Sequence, residues 1–555
     1  MNISHFLQKV SKKKQFVYLF IIPGIFAVIS LILRQEFGPY WLGINSDPEY
    51  AYLLNFLNII QFQTPGHTDH PGTTLQVFGA IVIQITYFIQ SLTNSVVYNI
   101  TESVLQNPEF YLITVNSILL LIITSCLLLV GLVAFAFSQN IALSLLLQLG
   151  LFLWTPLQES TRVRPETLLL SLTQLLVILL LFYLYSKRAR LHKFAIAIGI
   201  VLGLGVSTKV TFIPMIMVII LLPGWFQKGL AIFTTIVTFV ITTSPIFSQY
   251  SRLFNWLTSI ATHTGYYGSG NPGLVDISNL PNTFINLITQ DRFFFYTVGL
   301  SVLNFFIVTV WFWLARPTLQ NFDLQHKYSP IVPVQKLYLL YLCLLLIIGF
   351  QIMLTLKHPA THYLIPSMGL CSLLIWVQVT LFQQQLTTLL EPSIYAKLSL
   401  LVLTVYVTAS ASVTYKLMLY TKNSYQSYRG EIQTINRLIQ QNYNNCIHVK
   451  YYRSSDRQYA LKFGNDFASH NFSKVLDYRF PDAVFYNIWS RKYESFNQEL
   501  DLSNLIDKNC LIFQGSPLDE AHYSQFMPST TIEIIFEGQS ESLYKLIQKP
   551  NNEIN

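Results

Sequence analysis

Two histidines and an aspartate fall within four positions of GHTDHPG (66–72), and two acids flank a proline in INSDPEYAYLLNFL (44–57). His67, Asp69 and His70 offer either a set of metal ligands or hydrogen-bonding groups for a sugar hydroxyl or a phosphate. Asp47 has two readings: the N-cap of a helix that starts at Pro48, or a general base aimed into a cavity. Three further stretches are cationic. In STRVRPETLLL (160–170), Arg162 and Arg164 precede Pro165-Glu166 at a helix start. Dipole and charge together make that an anion site, unless the arginines snorkel to lipid headgroups. In GVSTKVTFIP (205–214), Lys209 sits in a break between apolar runs. A lysine costs ~2.5–3.5 kcal/mol at mid-membrane, so this one must face protein, water or a phosphate. KHPATHYLIP (357–366) crowds Lys357, His358, His362 and Tyr363 around a proline-rich bend.

The elements that carry these groups are membrane spans. The 555 residues are 52% hydrophobic and only 11% charged, where a soluble domain carries about 25% charged residues. The net charge of +8 is scattered through short loops, with no basic face of the kind that binds nucleic acid. Twelve apolar segments are long enough to consider: roughly 15–34, 71–90, 111–137, 140–157, 165–186, 194–208, 211–224, 229–247, 294–315, 337–356, 363–386 and 398–419. Lys9 and Lys12–Lys14 hold the N-terminus in the cytoplasm, and KRARLHK (187–193) belongs on the same side. An even number of crossings must separate them, yet five candidates intervene. The odd one is 71–90, which opens with Pro71-Gly72 and carries Gln76, Gln84 and Gln90, so it is expected in the outer interface. Eleven spans then leave Lys228, Arg316, Lys327, Lys336 and Lys397 inside. They put 35–70, 159–166, 248–293 and 357–363 outside, together with a tail from about 420.

That tail, 420–555, reads as a separate extracytoplasmic α/β domain beyond a transmembrane module at 1–419. Its strand-like runs are CIHVKYY (446–452), AVFYNIW (483–489), CLIF (510–513) and TIEIIF (531–536), with RQYALKFG (457–464) helical. Five cysteines form no C-x-x-C pair. Cys126, Cys343 and Cys371 read as inert thiols in apolar segments. Cys446 and Cys510 each open a strand-like run, so a disulfide is plausible in an oxidising space; two buried thiols are the other reading.

One outer carboxylate, several cations at phosphate depth and a basin of histidines and tyrosines suit sugar transfer from a lipid phosphate. A phosphate leaving group wants positive charge, and an acceptor hydroxyl wants a base. The Gly- and Tyr-rich loop ATHTGYYGSGNPG (261–273) would cover the site or stack on saccharide.

The layout resembles the GT-C glycosyltransferases, the superfamily of protein mannosyltransferases and aminoarabinose transferases. The resemblance covers about residues 10–420 and runs through Asp47 and Glu49 after the first span, His70-Pro71-Gly72, Pro165-Glu166, Thr208-Lys209, and His362-Tyr363-Leu364-Ile365-Pro366. Pro48 separates acids that are usually adjacent in that family, and Gly72 replaces a second proline. The resemblance implies a mainly α, polytopic fold and an inverting transferase of the cell envelope that makes polysaccharide or glycolipid. Its donor would be a polyprenyl-phosphate sugar, and its acceptor a glycan, lipid or protein. Asp47 would be the base, with Glu49, His67, Asp69, His70, Arg162, Arg164, Glu166, Lys209, Lys357, His358, His362 and Tyr363 binding substrate. No cofactor is required, although a divalent metal is compatible. A bacterial cytoplasmic membrane is the expected location. Two rivals are a polymerase or ligase using a lipid-diphosphate oligosaccharide, and a transporter. Against transport, the acids lie outside the spans and no internal repeat is visible.

Overall fold

The computed structural model describes residues 14–69, 71–93, 98–185, 191–264, 270–273, 279–314, 332–386, 392–501, 510–517 and 530–548. The early helices are α1 (Ile21–Phe37), α2 (Ser46–Ile60), α3 (Thr73–Leu92), α4 (Ile100–Gln106), α5 (Pro108–Ser138), α6 (Ile141–Gln148) and α7 (Trp154–Glu159). The middle of the chain forms α8 (Pro165–Tyr185), α9 (Leu191–Thr208), α10 (Trp225–Thr242), α11 (Tyr250–Thr262), α12 (Leu280–Gln290) and α13 (Arg292–Leu314). Then come α14 (Val334–Lys357), α15 (Cys371–Leu386), α16 (Pro392–Asn442), α17 (Arg457–Phe467) and α18 (Ser473–Arg479). Among the described residues ten helices are long and apolar enough to cross a membrane. The chain is a mainly α polytopic protein with a small C-terminal sheet region.

Two compact units divide the chain. Met1–Leu33, Thr68–Leu75 and Asn116–Met418 form one; Arg34–His67, Gln76–Val115 and Leu419–Asn555 form the other.

In the first unit the most enclosed elements are α8 and the segment Thr361–Gln384. Helix α8 is apolar almost all round, which is the pattern of a helix with neighbours on every side. Helices α9 and α10 approach at Gly199 and Gly203, a G-x-x-x-G pair. A Cβ on Gly203 would come within 2.6 Å of the Thr238 side chain and 2.7 Å of the Thr235 carbonyl, so only glycine allows that spacing. Two of the expected spans are short. The segment at 140–157 breaks into α6, a 3-10 turn and α7. The segment at 211–224 is a 12-residue 3-10 helix, Val210–Leu221, with Pro214 inside. Its steeper rise stretches twelve residues to ~24 Å, against ~18 Å for an α-helix.

In the second unit a seven-stranded sheet runs β4-β3-β2-β1-β5-β7-β6. The strands are β1 (Ile447–Lys450), β2 (Val484–Asn487), β3 (Lys492–Glu494), β4 (Glu499–Leu500), β5 (Leu511–Gly515), β6 (Thr530–Glu537) and β7 (Ser542–Gln548). Strand β1 is parallel to both β2 and β5, and the other pairings are antiparallel. Cys446 and Cys510, at the entry to β1 and β5, form the disulfide, with Cα atoms 4.7 Å apart. The last part of α16 covers one face through Tyr428, Ile432 and Ile435, which meet Ile512 and Leu543. Charged residues return at about 420, but the helix runs on to Asn442 because this apolar stripe has a sheet to cover. Helix α17 lies against α2 so closely that a Cβ on Gly464 would sit 2.6 Å from the Tyr50 carbonyl oxygen.

Helix α3 is one of the ten helices long and apolar enough to cross, and it has two contacts in this unit. Gly79, in its second turn, abuts the ring of Phe56 on α2. Gln90, in its last, accepts a hydrogen bond of 2.9 Å from Tyr111 of α5. Helices α2 and α5 are themselves joined through Glu109, which accepts from the Tyr50 hydroxyl at 2.9 Å and the Tyr40 amide at 2.8 Å.

Candidate active site

Glu166 occupies the first turn of α8 and is buried. Its carboxylate forms an ion pair with Lys209, and His362 Nε2 lies 4.0 Å away. The Lys209 ammonium also sits 4.7 Å from the centroid of the Tyr363 ring. Lys209 owes its position to the end of α9: the helix stops at Thr208, Lys209 is extended, and the 3-10 helix starts at Val210. His362 and Tyr363 ride on the 3-10 turn Thr361–Leu364, pinned where Gln351 Nε2 donates to the Tyr363 carbonyl at 2.7 Å.

The arginine stretch is held as firmly. Arg164 pairs with Glu159 at 3.3 Å. Asn116 Nδ2 donates to the carbonyls of Ser160 and Arg162 at 3.2 Å each. Thr167 Oγ1 lies 2.8 Å from the Glu159 carbonyl and 2.7 Å from that of Arg162. Arg162 is 3% exposed and Arg164's side chain 17%, so neither reaches out as a snorkelling arginine would. Two cations, Arg164 and Lys209, pair with two carboxylates, Glu159 and Glu166. Cations beside a helix N-terminus favour an anion there.

Sequence reasoning passed over Asp291, which ends α12 and precedes α13. It is 1% exposed, and Oδ2 accepts from the Thr155 amide at 3.1 Å, anchoring the start of α7. Helix α7 ends at Glu159, the partner of Arg164. Burial pushes the Asp291 carboxyl up to about 6, against the pull of its bonds to Thr155 and the Phe294 amide. The available signal was an acid directly ahead of an apolar run, QDRFFF, an ordinary cap pattern.

Other expected residues of this unit are engaged elsewhere. Asp69 pairs with Arg252 of α11 at 3.3 Å, and Lys357 Nζ donates to the Ala261 carbonyl in the last turn of α11 at 2.6 Å. His358 is half-buried at the end of α14. His70 lies outside the described residues.

The second unit holds Asp47, Glu49 and His67. Asp47 is exposed, and its φ of −103° and ψ of 118° set it just ahead of the regular turns of α2. Glu49 is fully buried. The His67 ring lies edge-on between Tyr52 at 5.2 Å and Phe467 at 5.3 Å, the surroundings of a core histidine. Among the described residues no group of three or more His, Cys, Asp or Glu side chains could hold a metal ion.

No family model and no curated protein matches the chain. Among solved structures it is similar to "Crystal Structure of ArnT from Cupriavidus metallidurans bound to Undecaprenyl phosphate". The identity is 12% and the TM-score 0.45, over 95% of this chain and 97% of that one. A likeness of that depth assigns no chemistry.

Proposed function

We propose that the chain is an integral-membrane, inverting glycosyltransferase of the GT-C type that takes its sugar from a polyprenyl phosphate on the extracytoplasmic face. The observation that carries this reading is the buried, charged cluster of Glu166, Lys209, His362 and Tyr363, with the Arg164–Glu159 pair beside it, at helix ends of a many-span bundle. Arg162, Arg164 and Lys209 would stabilise the phosphate as its bond to the anomeric carbon breaks. Asp47 would take the proton of the acceptor hydroxyl as its oxygen attacks that carbon from the opposite face. His362 and Tyr363 line the donor end, and Glu166 fixes the lysine. Asp69 and Lys357 join substrate binding only by leaving Arg252 and Ala261.

The Cys446–Cys510 bond supports an extracytoplasmic tail, since disulfides persist in oxidising compartments. It agrees with a cytoplasmic N-terminus and a bacterial cytoplasmic membrane. Helix α3, long and apolar enough to cross, is assigned to the outer interface by the parity of the basic loops alone.

The test is reconstitution of the full chain with radiolabelled polyprenyl-phosphate sugars and, in parallel, a labelled lipid-diphosphate oligosaccharide, each with and without EDTA. Transfer from a monophosphate donor, undiminished by EDTA, is expected. Asp47→Asn should lose at least ~10²-fold, the usual scale for a missing general base. Transfer from the diphosphate alone would replace the reading with a polymerase or ligase, and near-normal turnover by Asp47→Asn would retire that base.

A further inference from the structure

Open sheets with parallel strands tend to present ligand sites beyond the carboxyl ends of those strands. In the second unit, β1 and β2 are parallel neighbours, and the chain leaving each one carries an aromatic and an arginine. After β1 come Tyr452 and Arg453; after β2 come Trp489 and Arg491. The Tyr452 and Trp489 rings are 6.4 Å apart at 84°, and the Arg453 guanidinium lies 4.8 Å from the Tyr452 centroid. Trp489 is 82% exposed.

These loops are built, not slack. Asn487 Oδ1 accepts from the Trp489 amide at 3.0 Å and the Ser490 amide at 3.2 Å, and its carbonyl accepts from Arg491 at 2.8 Å. On the other loop, Ser516 donates to the Tyr452 carbonyl at 2.9 Å. Arg453 and Arg491 both adopt left-handed backbone, φ 60° and 57°, which non-glycine residues seldom take. Among the described residues neither guanidinium is ion-paired, whereas the neighbouring Lys492 is bound to Glu499 at 2.7 Å.

Tyr459, in the first turn of α17, has its phenol pushed up first by burial. The Arg453 amide opposes that shift, and the charges of Asp466, Tyr452 and Asp47 add to it. Tyr452 and Asp47 are therefore both electrostatic neighbours of one side chain.

We propose that this rim is an acceptor subsite for a saccharide that bears an acidic group. The apolar face of a sugar ring stacks on Trp489 and Tyr452. Arg453 and Arg491 bind the carboxylate or phosphate it carries, a group that a guanidinium fork fits better than an ammonium. A membrane surface is the poorer occupant: Ile488 and Tyr452 pack partly against the sheet core, leaving Trp489 the one exposed apolar tip amid Asn, Ser, Arg and Lys, where an inserting loop carries several. The word acceptor rests on the transferase reading above; the saccharide site does not.

The experiment presents the full chain in nanodiscs to an array of neutral, uronic-acid and phosphorylated oligosaccharides, and separately to phosphatidylglycerol–phosphatidylethanolamine vesicles. Acidic glycans should be retained over neutral ones. Trp489→Ala and the Arg453→Gln/Arg491→Gln pair should each weaken that binding about tenfold, with an unchanged melting temperature because these side chains face solvent. Absence of glycan binding, retention by Trp489→Ala, or a Trp489-dependent loss on vesicles alone would overturn the proposal. Trp489-dependent glycan binding by a chain that transfers no sugar would keep the site and remove only the acceptor role.

Discussion

Glu166 in the first unit and Glu541 in the second are both buried carboxylates, and they are satisfied in opposite ways. Glu166 is met by charge, from Lys209 and the nearby Arg164. Among the described residues Glu541 is met by neutral donors: the Ser455 amide at 3.0 Å, Gln514 Nε2 at 2.5 Å and the Tyr428 hydroxyl at 3.4 Å. Burial pushes Glu541 up to about 7 despite those bonds. The contrast separates two uses of a buried acid. Cations gathered around one create a field that a second anion can exploit; neutral donors around the other tie strands and helix together and export no charge.

The largest effect should come from removing the cation. Lys209→Met leaves Glu166 buried without its partner, at a cost of about 3–5 kcal/mol, visible as a lowered melting temperature. The double variant Glu166→Gln/Lys209→Met should recover most of that stability while donor-lipid affinity stays at least ~10-fold reduced. Donor binding restored along with stability would make the pair a structural tie like Glu541. Next in size is the Cys446–Cys510 crosslink, which closes a sequence separation of 64. In the chain-entropy model, serine at both positions costs about 4 kcal/mol, read by chemical denaturation with sugar transfer followed in parallel.

Glu541 gives a smaller, pH-dependent effect. Its folded form keeps the proton up to about 7, whereas the unfolded chain releases it near 4.5, the ordinary value for a glutamate. The folded state therefore binds more protons between those values. The contribution is fully present below pH 4.5 and is lost as pH rises through 7, with a slope of at most about 1.4 kcal/mol per unit. Thermal unfolding of Glu541→Gln should show a flatter dependence over that window; an unchanged profile would mean that the acid is ionised. Smallest is Asp291. Asp291→Asn keeps an acceptor for the Thr155 amide and should melt near wild type, whereas Asp291→Ala loses a cap worth about 1 kcal/mol.

The spans were legible because each is an apolar run between polar turns, and β1, β2, β5 and β6 because their residues are β-branched or aromatic. Strands β3 and β4 hide in KYE and EL, too short to show a period, and β7 in SLYKLIQ, where Lys545 interrupts the apolar pattern. At the site, the sequence placed Glu166, Lys209, His362 and Tyr363 at one end of their helices, and those four do meet. It placed Asp69 and Lys357 there equally well, and they bind α11 instead. Which residues at a helix end become partners depends on how each helix is turned about its own axis. A single sequence does not encode that locally, because the turn is set by packing such as that of Gly199 and Gly203 against α10.

The second unit is assembled from pieces that leave the ribosome far apart in time. Residues 34–67 and 76–115 precede Leu419 by some 300 positions, so at about 5–20 residues per second they are made ~15–60 s ahead of their partner. The Glu109 bonds to Tyr40 and Tyr50 can close at once. Asn55, which donates to the Phe467 carbonyl at 3.1 Å, and Asn58, which donates to that of Ala468 at 3.3 Å, must stay hydrated throughout the wait. A tail truncated before α17 would therefore leave this early half permanently open, with the floor of Gly66, Tyr52 and His67 exposed to proteases and to other chains.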